Sequence, residues 1–319
     1  MADPAAPAVD RQIWLDGTFV PWGEANVHVL SHSHQRGSLI FDYMGVKETP
    51  RGAAVFRLRE HVERLLTSAE LIGLPLAQGG DALCDAILAT VRRNPGAKAV
   101  KISAYLPSVE VDVVPLDDRV SVAIAAYDPR ADVIDRKAQA PPAPPSALRV
   151  WIEKDVRNRR KDIIPPQAKV SANYAAPMMA KWRARRAGYD EILLVDEEGF
   201  VAEGPTVNVF LVDRAGALIT PVEAAVLLGV TRRSILEIAA HDGMTVREAR
   251  VRPEDLFAAA EVFLTGTSYS TMPVASVDDK PVGDGAPGPI SRRLGARFDE
   301  IGSGRDPEFA HWLTLASEG

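Results

Sequence analysis

Lys169 is the first residue whose surroundings indicate chemistry. It lies between the Pro165–Pro166 turn and a helix predicted from Ser171, with Ala168 and Val170 as its neighbours. Because apolar surroundings disfavour the charged form of an amine, a lysine in this setting can act as a nucleophile that forms a Schiff base. The alternative is a surface lysine beside a turn, whose apolar stem packs on the protein while its amine stays in water.

The carboxylate of Glu203 is the second candidate. It lies in the apolar run Val201–Phe210, which Gly204 and Pro205 interrupt and in which Asn208 precedes further apolar residues. A carboxylate at the end of an apolar strand is poorly solvated and needs a partner. A protonated pyridine nitrogen is a suitable partner, because the charge pair keeps that nitrogen protonated. The alternative is a glutamate at a hairpin edge that is bonded to Asn208 or to an arginine.

Two further segments could bind an anion. Leu227–Arg232 opens a helix predicted from Thr231, so the backbone N–H groups of Val230 and Thr231 and the Thr231 hydroxyl would form a site at a helix N-terminus. Leu264–Ser268 is a strand that ends in a Gly-Thr-Ser turn with similar donors. An ordinary threonine N-cap without a ligand is the alternative for Thr231. Together, a lysine, a buried carboxylate and two anion-binding termini are the groups that a phosphorylated pyridine aldehyde requires.

The composition is that of a globular protein and argues against nucleic-acid binding. The chain has 319 residues and a formal net charge of −6, with 46% hydrophobic and 25% charged residues. This length suffices for two domains, and the acidic balance argues against nucleic acid or an anionic membrane as a partner. Cys84 is the single cysteine, so no intrachain disulfide can form, and six histidines leave little material for a metal cluster. The first ten residues lack the apolar core of a signal peptide and no apolar run is long enough to span a membrane, so we expect a cytoplasmic protein.

Hydrophobic periodicity and turn residues predict the elements that must position these groups. Apolar residues at helical spacing predict helices, short apolar runs predict strands, and an Asp-Gly pair predicts a hairpin. The hairpin covers Gln12–Val20. The predicted helices are Leu58–Gly73, Asp81–Arg93, Ser171–Ala187 and Thr231–Ala240, and the predicted strands are Ala99–Leu106, Arg119–Tyr127, Leu148–Glu153, Glu191–Asp196, Asn208–Val212, Leu218–Thr220 and Glu261–Thr265.

A proline-rich segment divides the chain. Residues 138–147 contain four prolines, which are incompatible with the interior of a helix or a central strand. We therefore predict a disordered tail over residues 1–11, a small domain over 12–137, an interdomain linker over 138–147 and a larger domain over 148–319. No internal repeat is apparent. The sequence also has no G-x-G-x-x-G after a strand and no Walker loop, so it does not support dinucleotide or ATP chemistry.

Longer motifs extend the single residues into an ordered series. They are W-L-D-G at residues 14–17, H-V-E-R-L at His61–Leu65, A-K-V-S-A-N-Y at Ala168–Tyr174, G-Y-D-E-I-L-L-V-D-E-E-G-F-V-A-E-G-P-T-V-N-V-F at residues 188–210, L-L-G-V-T-R at Leu227–Arg232, E-V-F-L-T-G-T-S at residues 261–268 and D-D-K-P-V-G-D-G-A-P-G-P-I at Asp278–Ile290. Together, and in this order, they resemble the class IV (fold type IV) enzymes that use pyridoxal 5'-phosphate (PLP). These are the branched-chain aminotransferases, D-amino-acid aminotransferases, (R)-selective amine aminotransferases and aminodeoxychorismate lyases. The resemblance covers nearly the whole chain, from about Ile13 to Phe298.

The resemblance implies an α+β fold of two domains with PLP between them. The N-terminal domain would be a small α/β sandwich, and the larger C-terminal domain would be β-barrel-like with helices. Lys169 would be the catalytic residue that carries PLP as a Schiff base and moves the proton during the reaction, and Glu203 would pair with the pyridine nitrogen. The other implied cofactor-binding residues are Tyr174 at the ring hydroxyl, Asn208 in the Glu203 motif, Leu227 on the ring face, and Arg64, Val230, Thr231, Gly266 and Thr267 around the phosphate. For Arg64, the local alternative is a helix-surface arginine paired with Glu60.

The implied activity is transamination by a ping-pong sequence of aldimine and ketimine chemistry. An amino acid or amine would donate its amino group, and a 2-oxo acid would accept it. The enzyme would resemble the branched-chain aminotransferases, with an (R)-selective amine:pyruvate or a D-amino-acid aminotransferase as the alternative, followed by an aminodeoxychorismate lyase or a cofactor-binding regulatory module. The resemblance also implies a homodimer. The other partners would be the small-molecule amino donor and the 2-oxo acid acceptor, with no nucleic acid or membrane partner.

The substrate pocket departs from the branched-chain pattern. Residues Phe41–Val46 read F-D-Y-M-G-V where those enzymes usually have F-E-G-I-R, so the family arginine is missing and Tyr43 and Met44 stand in the pocket wall. Lys101 and Ser103 occupy about the places of a tyrosine and an arginine that face the substrate carboxylate. Lys101 either replaces a lost cation or only decorates its strand. The candidate substrate-pocket residues are therefore Phe41, Tyr43, Lys101 and Ser268.

Three polar residues lie beside this segment in the sequence. His32, His34 and Arg36 could contact a carboxylate, but structural hydrogen bonding is the favoured interpretation, since partly buried His and Arg side chains usually have such partners.

Overall fold

The computed structural model describes residues 9–137 and 145–318, and these divide into two compact units. The first unit comprises residues 9–137, Lys169–Ala172 and 301–318 of the described chain, and the second comprises residues 145–168 and 173–300. This division differs from the contiguous one predicted from the sequence in two places. Both the short segment at Lys169 and the last residues of the chain group with the first unit.

The first unit is a two-layer sandwich of one antiparallel sheet and two long helices, as the resemblance predicted. The sheet has the order β15-β4-β3-β5-β6-β1-β2. Its strands are β1 Gln12–Leu15, β2 Thr18–Pro21, β3 Ile40–Thr49, β4 Gly52–Phe56, β5 Ala99–Tyr105, β6 Ser121–Tyr127 and β15 Leu313–Leu315, and its helices are α1 His32–Arg36, α2 Leu58–Ile72 and α3 Gly80–Arg93.

Local signals set these elements where the sequence predicted them. The β1–β2 hairpin turns at Asp16 and Gly17, which have φ of 48° and 97°. Helix α2 ends at Gly73, whose φ of 68° places it in the left-handed C-cap conformation that glycine adopts at little cost. The predicted hairpin and both predicted helices of this unit are therefore confirmed to within a residue or two.

Strand β3 alternates between the two faces of the sheet. Ile40, Asp42 and Met44 are completely buried, whereas Phe41 and Tyr43 are half-buried on the opposite face. The buried face packs against α2 through apolar side chains, which are Leu58, Val62 and Leu65. The expectation that Met44 stands in the same pocket wall as Tyr43 is therefore wrong, since successive strand residues point to opposite faces.

Backbone pairing explains why two later segments join the first unit. Val170 forms a bridge with Ile40 on β3, and β15 pairs antiparallel with β4 near the end of the chain. These pairings join residues far apart in sequence, which local periodicity does not reveal.

The second unit is built on a mixed sheet of eight strands. Seven strands have the order β11-β10-β9-β12-β13-β7-β8, and β14 pairs with β13. The strands are β7 Leu148–Glu153, β8 Glu191–Leu194, β9 Asn208–Val212, β10 Leu218–Pro221, β11 Val246–Ala249, β12 Glu261–Gly266, β13 Tyr269–Val277 and β14 Lys280–Pro281. Val201 forms isolated bridges with both Val195, just after β8, and Val251, just after β11. Because Val201 links the two ends of the strand order, the sheet is barrel-like, as predicted.

This unit also contains α-helices. They are α4 Ala175–Arg186, α5 Val230–His241, α6 Pro253–Ala258 and α7 Pro289–Gly302. The valine-rich interior includes Val209 and Leu211 of β9, whereas Phe210 points the other way and stacks on Phe263 at 5.2 Å between ring centroids. Asn208 shares the outer face with Phe210 by strand alternation. The predicted helix over Ser171–Ala187 begins instead with a 3-10 turn at Ser171–Tyr174, and the α-helix follows it.

The predicted tail and linker lie mostly outside the described residues, which begin at residue 9 and omit residues 138–144. Arg11, which the prediction placed in the tail, is buried. Its Nε lies 2.9 Å from Asp132 Oδ2, and its NH1 donates to the Pro95 carbonyl at 2.8 Å. The prediction of a disordered tail is therefore wrong for Arg11. Among the described helices, none has both the length and the apolar character needed to cross a lipid bilayer.

Candidate active site

The backbone around Lys169 is fixed to the first unit by hydrogen bonds on both sides. The Lys169 N–H donates to Ser68 Oγ on α2 at 3.0 Å, and the Lys169 carbonyl accepts from the Phe41 N–H of β3 at 3.1 Å. Two residues later, the Ser171 N–H donates to the Leu39 carbonyl at 2.8 Å. The lysine is therefore held between a helix and a strand, and does not lie in a loose surface turn.

The Lys169 side chain lies on the face of β3 that carries Phe41. Its Nζ is 5.0 Å from the centroid of the Phe41 ring, and Nζ of Lys101 is 4.9 Å from the same centroid. Tyr43 pairs with Lys101 across β3 and β5, so it shares this face. The structure thus brings the predicted catalytic lysine together with three of the four predicted pocket residues. The fourth, Ser268, is exposed on the second unit.

Arg64 takes part in a buried cluster under β3. Its Nε donates to Asp42 Oδ2 and its NH2 donates to Asp42 Oδ1, both at 2.8 Å. His61 Nδ1 lies 2.7 Å from Asp42 Oδ1. Glu60, the partner that a surface arginine would have had, pairs instead with Arg57 at 3.2 Å. The surface alternative for Arg64 is therefore wrong, and a guanidinium with only 10% of its side chain exposed is held by a fully buried carboxylate.

The charges in this cluster follow from burial and proximity. Burial alone would raise the pKa of Asp42, but the Arg64 charge and the hydrogen bonds from His61 and Arg64 outweigh it and hold that pKa well below its usual range. Burial lowers the pKa of His61, and the charges of Arg64 and Lys169 lower it further, against the opposing effect of Asp42. The ionised Asp42 accepts a hydrogen bond from the Nδ1–H of a neutral His61. His61 lies close enough to Lys169 for the lysine charge to affect it.

A cavity of about 440 Å³ lies beside the same sheet face of the first unit. Its lining includes apolar Leu15, Val27 and Leu39, and its polar lining residues include Ser103 and Ser171. Because Ser103 pairs with Phe41 in the sheet and Ser171 follows Lys169 by two residues, this cavity is close to the lysine.

The neighbouring histidine and arginine side chains have structural roles, as expected. His32 is buried, with Nδ1 2.9 Å from Ser38 Oγ and Nε2 2.9 Å from the Val113 carbonyl. Arg36 NH2 donates to the Val111 carbonyl at 2.9 Å. His34 differs, because it lines the cavity and is exposed. For Tyr43, burial raises the pKa of the phenol, and Tyr127 and Asp128 raise it further, so its hydroxyl stays protonated.

In the second unit, Glu203 is 3% exposed and its carboxylate has several partners. Oε2 accepts from the Leu227 N–H at 3.1 Å and from Asn208 Nδ2 at 3.3 Å, and NH1 of Arg159 lies 3.2 Å from Oε1. Asn208 Nδ2 also donates to the Leu227 carbonyl at 3.0 Å. The contacts predicted by the structural alternative, an asparagine and an arginine, are therefore both present, and they place the predicted residues Glu203, Asn208 and Leu227 in one buried group.

No described side chain caps the N-terminus of α5, where an anion site was predicted. The N-cap is Gly229, which has no side chain to bond the first turn, and buried Val230 and Thr231 are the first two residues of the helix. Thr231 is thus not the N-cap, and the alternative of an ordinary threonine cap is wrong. The Thr265 hydroxyl on β12, against which α5 packs, is buried without a hydrogen-bond partner in the described chain. Gly266 is half-buried, and Thr267 is exposed.

Sequence reasoning missed four residues that hold the predicted ones. Asp42 and His61 fix Arg64, Ser68 fixes the Lys169 backbone, and Arg159 contacts Glu203. His61 lies three residues before Arg64 on α2, so helical spacing could have pointed to it. Asp42 at a buried position of an alternating strand was a second available signal, whereas Ser68 and Arg159 act through long-range contacts that leave none.

Comparisons with known proteins agree over nearly the full chain. A family model described as "Amino-transferase class IV" matches residues 39–277. A branched-chain-amino-acid aminotransferase of Pseudomonas aeruginosa strain PAO1 is 32% identical, over 96% of this chain and 97% of the relative. The protein of the same description from Escherichia coli strain K12 is also 32% identical, over 96% and 97% of the two chains.

A solved structure gives the same result for the fold. The T.th. branched-chain amino acid aminotransferase with pyridoxamine 5'-phosphate aligns with a TM-score of 0.88 and 34% identity, covering 97% of this chain and 99% of that chain.

Proposed function

This chain belongs to the class IV aminotransferase family, and we propose on that premise that it is a PLP-dependent transaminase that moves the amino group of a branched-chain amino acid to a 2-oxo acid. The observation that carries the proposal is the apolar and cationic sheet face at Lys169. There a lysine fixed by its backbone lies with Phe41 and Lys101 beside a largely apolar cavity. The names of the similar proteins described above support the branched-chain donor, since each is a branched-chain aminotransferase.

The residues present fit PLP chemically. A phosphate needs uncapped N–H groups, hydroxyls and a cation, and α5 begins without a capping side chain while the Thr265 hydroxyl is buried without a hydrogen-bond partner in the described chain. A pyridine nitrogen needs a buried carboxylate, which Glu203 supplies. We assign the ring hydroxyl to Tyr174 and the ring face to Leu227. The phosphate is assigned to Arg64, Val230, Thr231, Gly266 and Thr267.

Each of the residues assigned above would have a defined task in the reaction. When bound, PLP supplies an electron sink for the carbon that loses a proton. Lys169 Nζ would hold the cofactor at rest, and its amine would accept the donor's α-proton and deliver it to the cofactor carbon that carries the amino group. Asn208 holds Glu203 by its amide. Phe41 and the apolar side of the nearby cavity offer the donor side chain an apolar surface.

Lys101 is the cation that we assign to the substrate carboxylate. It lies on the same Phe41 ring as Lys169, and the family arginines are absent from Phe41–Val46 and from the β5 position of Ser103. A single lysine binds a carboxylate as a point charge without the bidentate fork of an arginine. Tyr43 and Ser268 complete the proposed pocket.

We further propose a homodimer, and place it in the cytoplasm. Several large apolar residues of the first unit are exposed on two segments, residues 27–30 and 109–116. Val111 is 94% exposed and Leu116 is 95% exposed. The others are Val27, Val29, Leu30, Val109, Val113 and Val114. Exposed apolar residues in this number mark a surface for a partner. The family resemblance makes a second copy of this chain the proposed partner, and cell fractionation tests the compartment.

A spectrum and a donor panel test the proposed activity. Purified protein should take up PLP with a Schiff-base absorption band, and that band should be absent in Lys169→Ala. The matched variant Lys101→Ala should keep the band but raise KM for the amino donor, because it removes only the proposed carboxylate partner.

The donor panel compares L-leucine, L-isoleucine and L-valine with D-alanine and chiral (R)-amines, using pyruvate and 2-oxoglutarate as acceptors. The branched-chain L-amino acids should lead by about tenfold or more in kcat/KM, a discrimination within reach of pocket contacts. A wild-type protein that stays colourless would refute the transaminase assignment. Preference for D-alanine or for an (R)-amine would refute only the donor.

A further inference from the structure

We propose that Arg159 is a positioning residue for Glu203, and that its buried guanidinium keeps this carboxylate charged and oriented toward the cofactor's ring nitrogen. No motif pointed to Arg159. The inference rests on the proposed function, since it concerns a residue that acts on bound PLP through Glu203.

Arg159 contacts three residues of the second unit. Two of them, Glu203 and Tyr174, are predicted cofactor-binding residues, and the third is Pro166. Arg159 NH1 lies 3.2 Å from Glu203 Oε1 and donates to the Pro166 carbonyl at 3.2 Å. Its Cζ lies 5.2 Å from the centroid of the Tyr174 ring. Pro166 is three residues before Lys169 and Tyr174 five residues after it. One arginine therefore touches the ring-nitrogen partner, the proposed ring-hydroxyl partner and the chain that leads to the lysine.

Burial makes this ion pair consequential. The side chains of Arg159 and Glu203 are 5% and 4% exposed. Exposed pairs of this kind contribute little because water screens them, whereas a carboxylate taken out of water tends to bind a proton unless a charge opposes it. Leu227 and Asn208 donate neutral hydrogen bonds to Oε2, and Arg159 adds a full positive charge beside Oε1.

The charge on Glu203 decides where one proton lies. A carboxylate and a pyridine nitrogen in contact share a proton, which stays on the nitrogen only while the acid is the weaker base. A cation beside the carboxylate favours that arrangement, because it stabilises the charged form of the acid. Arg159 therefore helps to keep the ring nitrogen protonated, which is the form that withdraws electrons.

A purely structural role for Arg159 would be different. Its bond to Pro166 and its contact with Tyr174 could tie the 154–168 segment to the unit without any effect on Glu203. In that case, its removal would lower stability or cofactor retention and leave the protonation of the ring nitrogen unchanged.

The experiment measures that protonation in the holoenzyme. Wild type, Arg159→Gln, Arg159→Lys and the control Arg160→Gln are loaded with PLP labelled with 15N in the ring, and the 15N chemical shift is recorded at fixed pH. Arg160 is a suitable control because it lies next in the chain, is 47% exposed and pairs with surface acids Asp162 and Glu197. Steady-state kinetics on the same samples give kcat and KM.

In Arg159→Gln, the 15N signal should move toward that of unprotonated pyridine, and kcat should fall about tenfold, the effect of one pKa unit. Arg159→Lys should recover most of both, and Arg160→Gln should match wild type. A folded Arg159→Gln with the wild-type 15N signal would overturn the inference. If that variant does not fold, Arg159→Met, which keeps the side-chain length, takes its place with the same two outcomes. A wild type that binds no PLP would instead refute the proposed function itself.

Discussion

At the scale of single residues, Asp42 shows how one buried charge organises its surroundings. Strand alternation directs its side chain into the core, where it is completely buried, and there it accepts two hydrogen bonds from Arg64 and lies against His61. A buried carboxylate is tolerated only when such partners compensate for the loss of water. These two hydrogen bonds determine which way the Arg64 guanidinium faces. Its orientation matters because Arg64 is proposed to bind the cofactor phosphate.

The substitution Asp42→Asn should therefore destabilise the protein. It leaves Arg64 buried without its counter-charge, which costs about 3 kcal/mol for a broken buried pair. The measurement is the free energy of unfolding from urea denaturation at neutral pH. As a matched control, Asp81→Asn removes an aspartate that also pairs with an arginine, but at a site where the side chains are 72% and 86% exposed, and it should have almost no effect. Equal losses in both variants would contradict the role given to burial.

The same substitution should change how stability depends on acid. The pKa of Asp42 is lowered in the folded state, so the pair contributes fully above the unfolded aspartate pKa of about 3.9 and is lost as the pH falls toward the folded value. The free energy of unfolding of the wild type should thus fall as the pH drops below about 4. That of Asp42→Asn should fall less over the same range. Parallel curves for the two proteins would show that Asp42 does not titrate in this way.

At the scale of elements, the sequence predicted what is local. The β1–β2 hairpin follows from Asp16 and Gly17, and α2 and α3 follow from apolar residues at helical spacing. Strand β9 was predicted to the residue, because its apolar run is bounded by turn residues. The start of α4 was wrong by one turn, since a 3-10 segment at Ser171–Tyr174 has the same spacing in sequence as the start of an α-helix.

Long-range pairing accounts for what the sequence did not predict. The bridge of Val170 to Ile40 and the pairing of β15 with β4 depend on partners far away in the chain. The site shows the same limit. Lys169, Glu203 and Thr231 were recognised from motifs, whereas Ser68 and Arg159 matter only through side chains that folding brings to them.

Helix α5 offers a test at the scale of an element, because its N-cap Gly229 lies against the site. A Cβ at this position would lie 2.1 Å from Asn208 Oδ1. The substitution Gly229→Ala should therefore displace the Asn208 amide, which holds both Glu203 and the Leu227 carbonyl. We expect a loss of about 1–3 kcal/mol in the free energy of unfolding, typical of overpacking, together with weaker PLP binding measured by fluorescence titration.

Gly23→Ala is the control for this substitution, since nothing lies within 4 Å of its Cβ position and its φ is not in the left-handed region. It should leave both stability and PLP affinity unchanged. If Gly229→Ala binds PLP as tightly as Gly23→Ala does, the amide of Asn208 is not needed to hold Glu203 in place.

At the scale of the whole molecule, the first unit has an apolar surface that the single chain leaves exposed. The segment 109–116 is tied down, since His32 and Arg36 bond to the carbonyls of Val113 and Val111, yet its apolar side chains face water. Burying these valine and leucine side chains against a second chain would be favourable by about 25 cal/mol for each Å² of apolar surface removed from water. A polar loop would gain much less from the same contact.

The double substitution Val111→Asp/Leu116→Asp should therefore convert the proposed dimer to a monomer. Burying two carboxylates at an apolar interface is unfavourable, whereas in a monomer these side chains remain in water and the fold is unaffected. Light scattering coupled to size exclusion gives the mass over a range of concentrations, and circular dichroism checks the fold. Met179→Asp, at another exposed apolar position (64%), on α4, is the control and should leave the mass unchanged. A dimer that survives the double substitution but dissociates with Met179→Asp would place the interface on α4 instead, and a wild type that is monomeric at every concentration would refute the dimer.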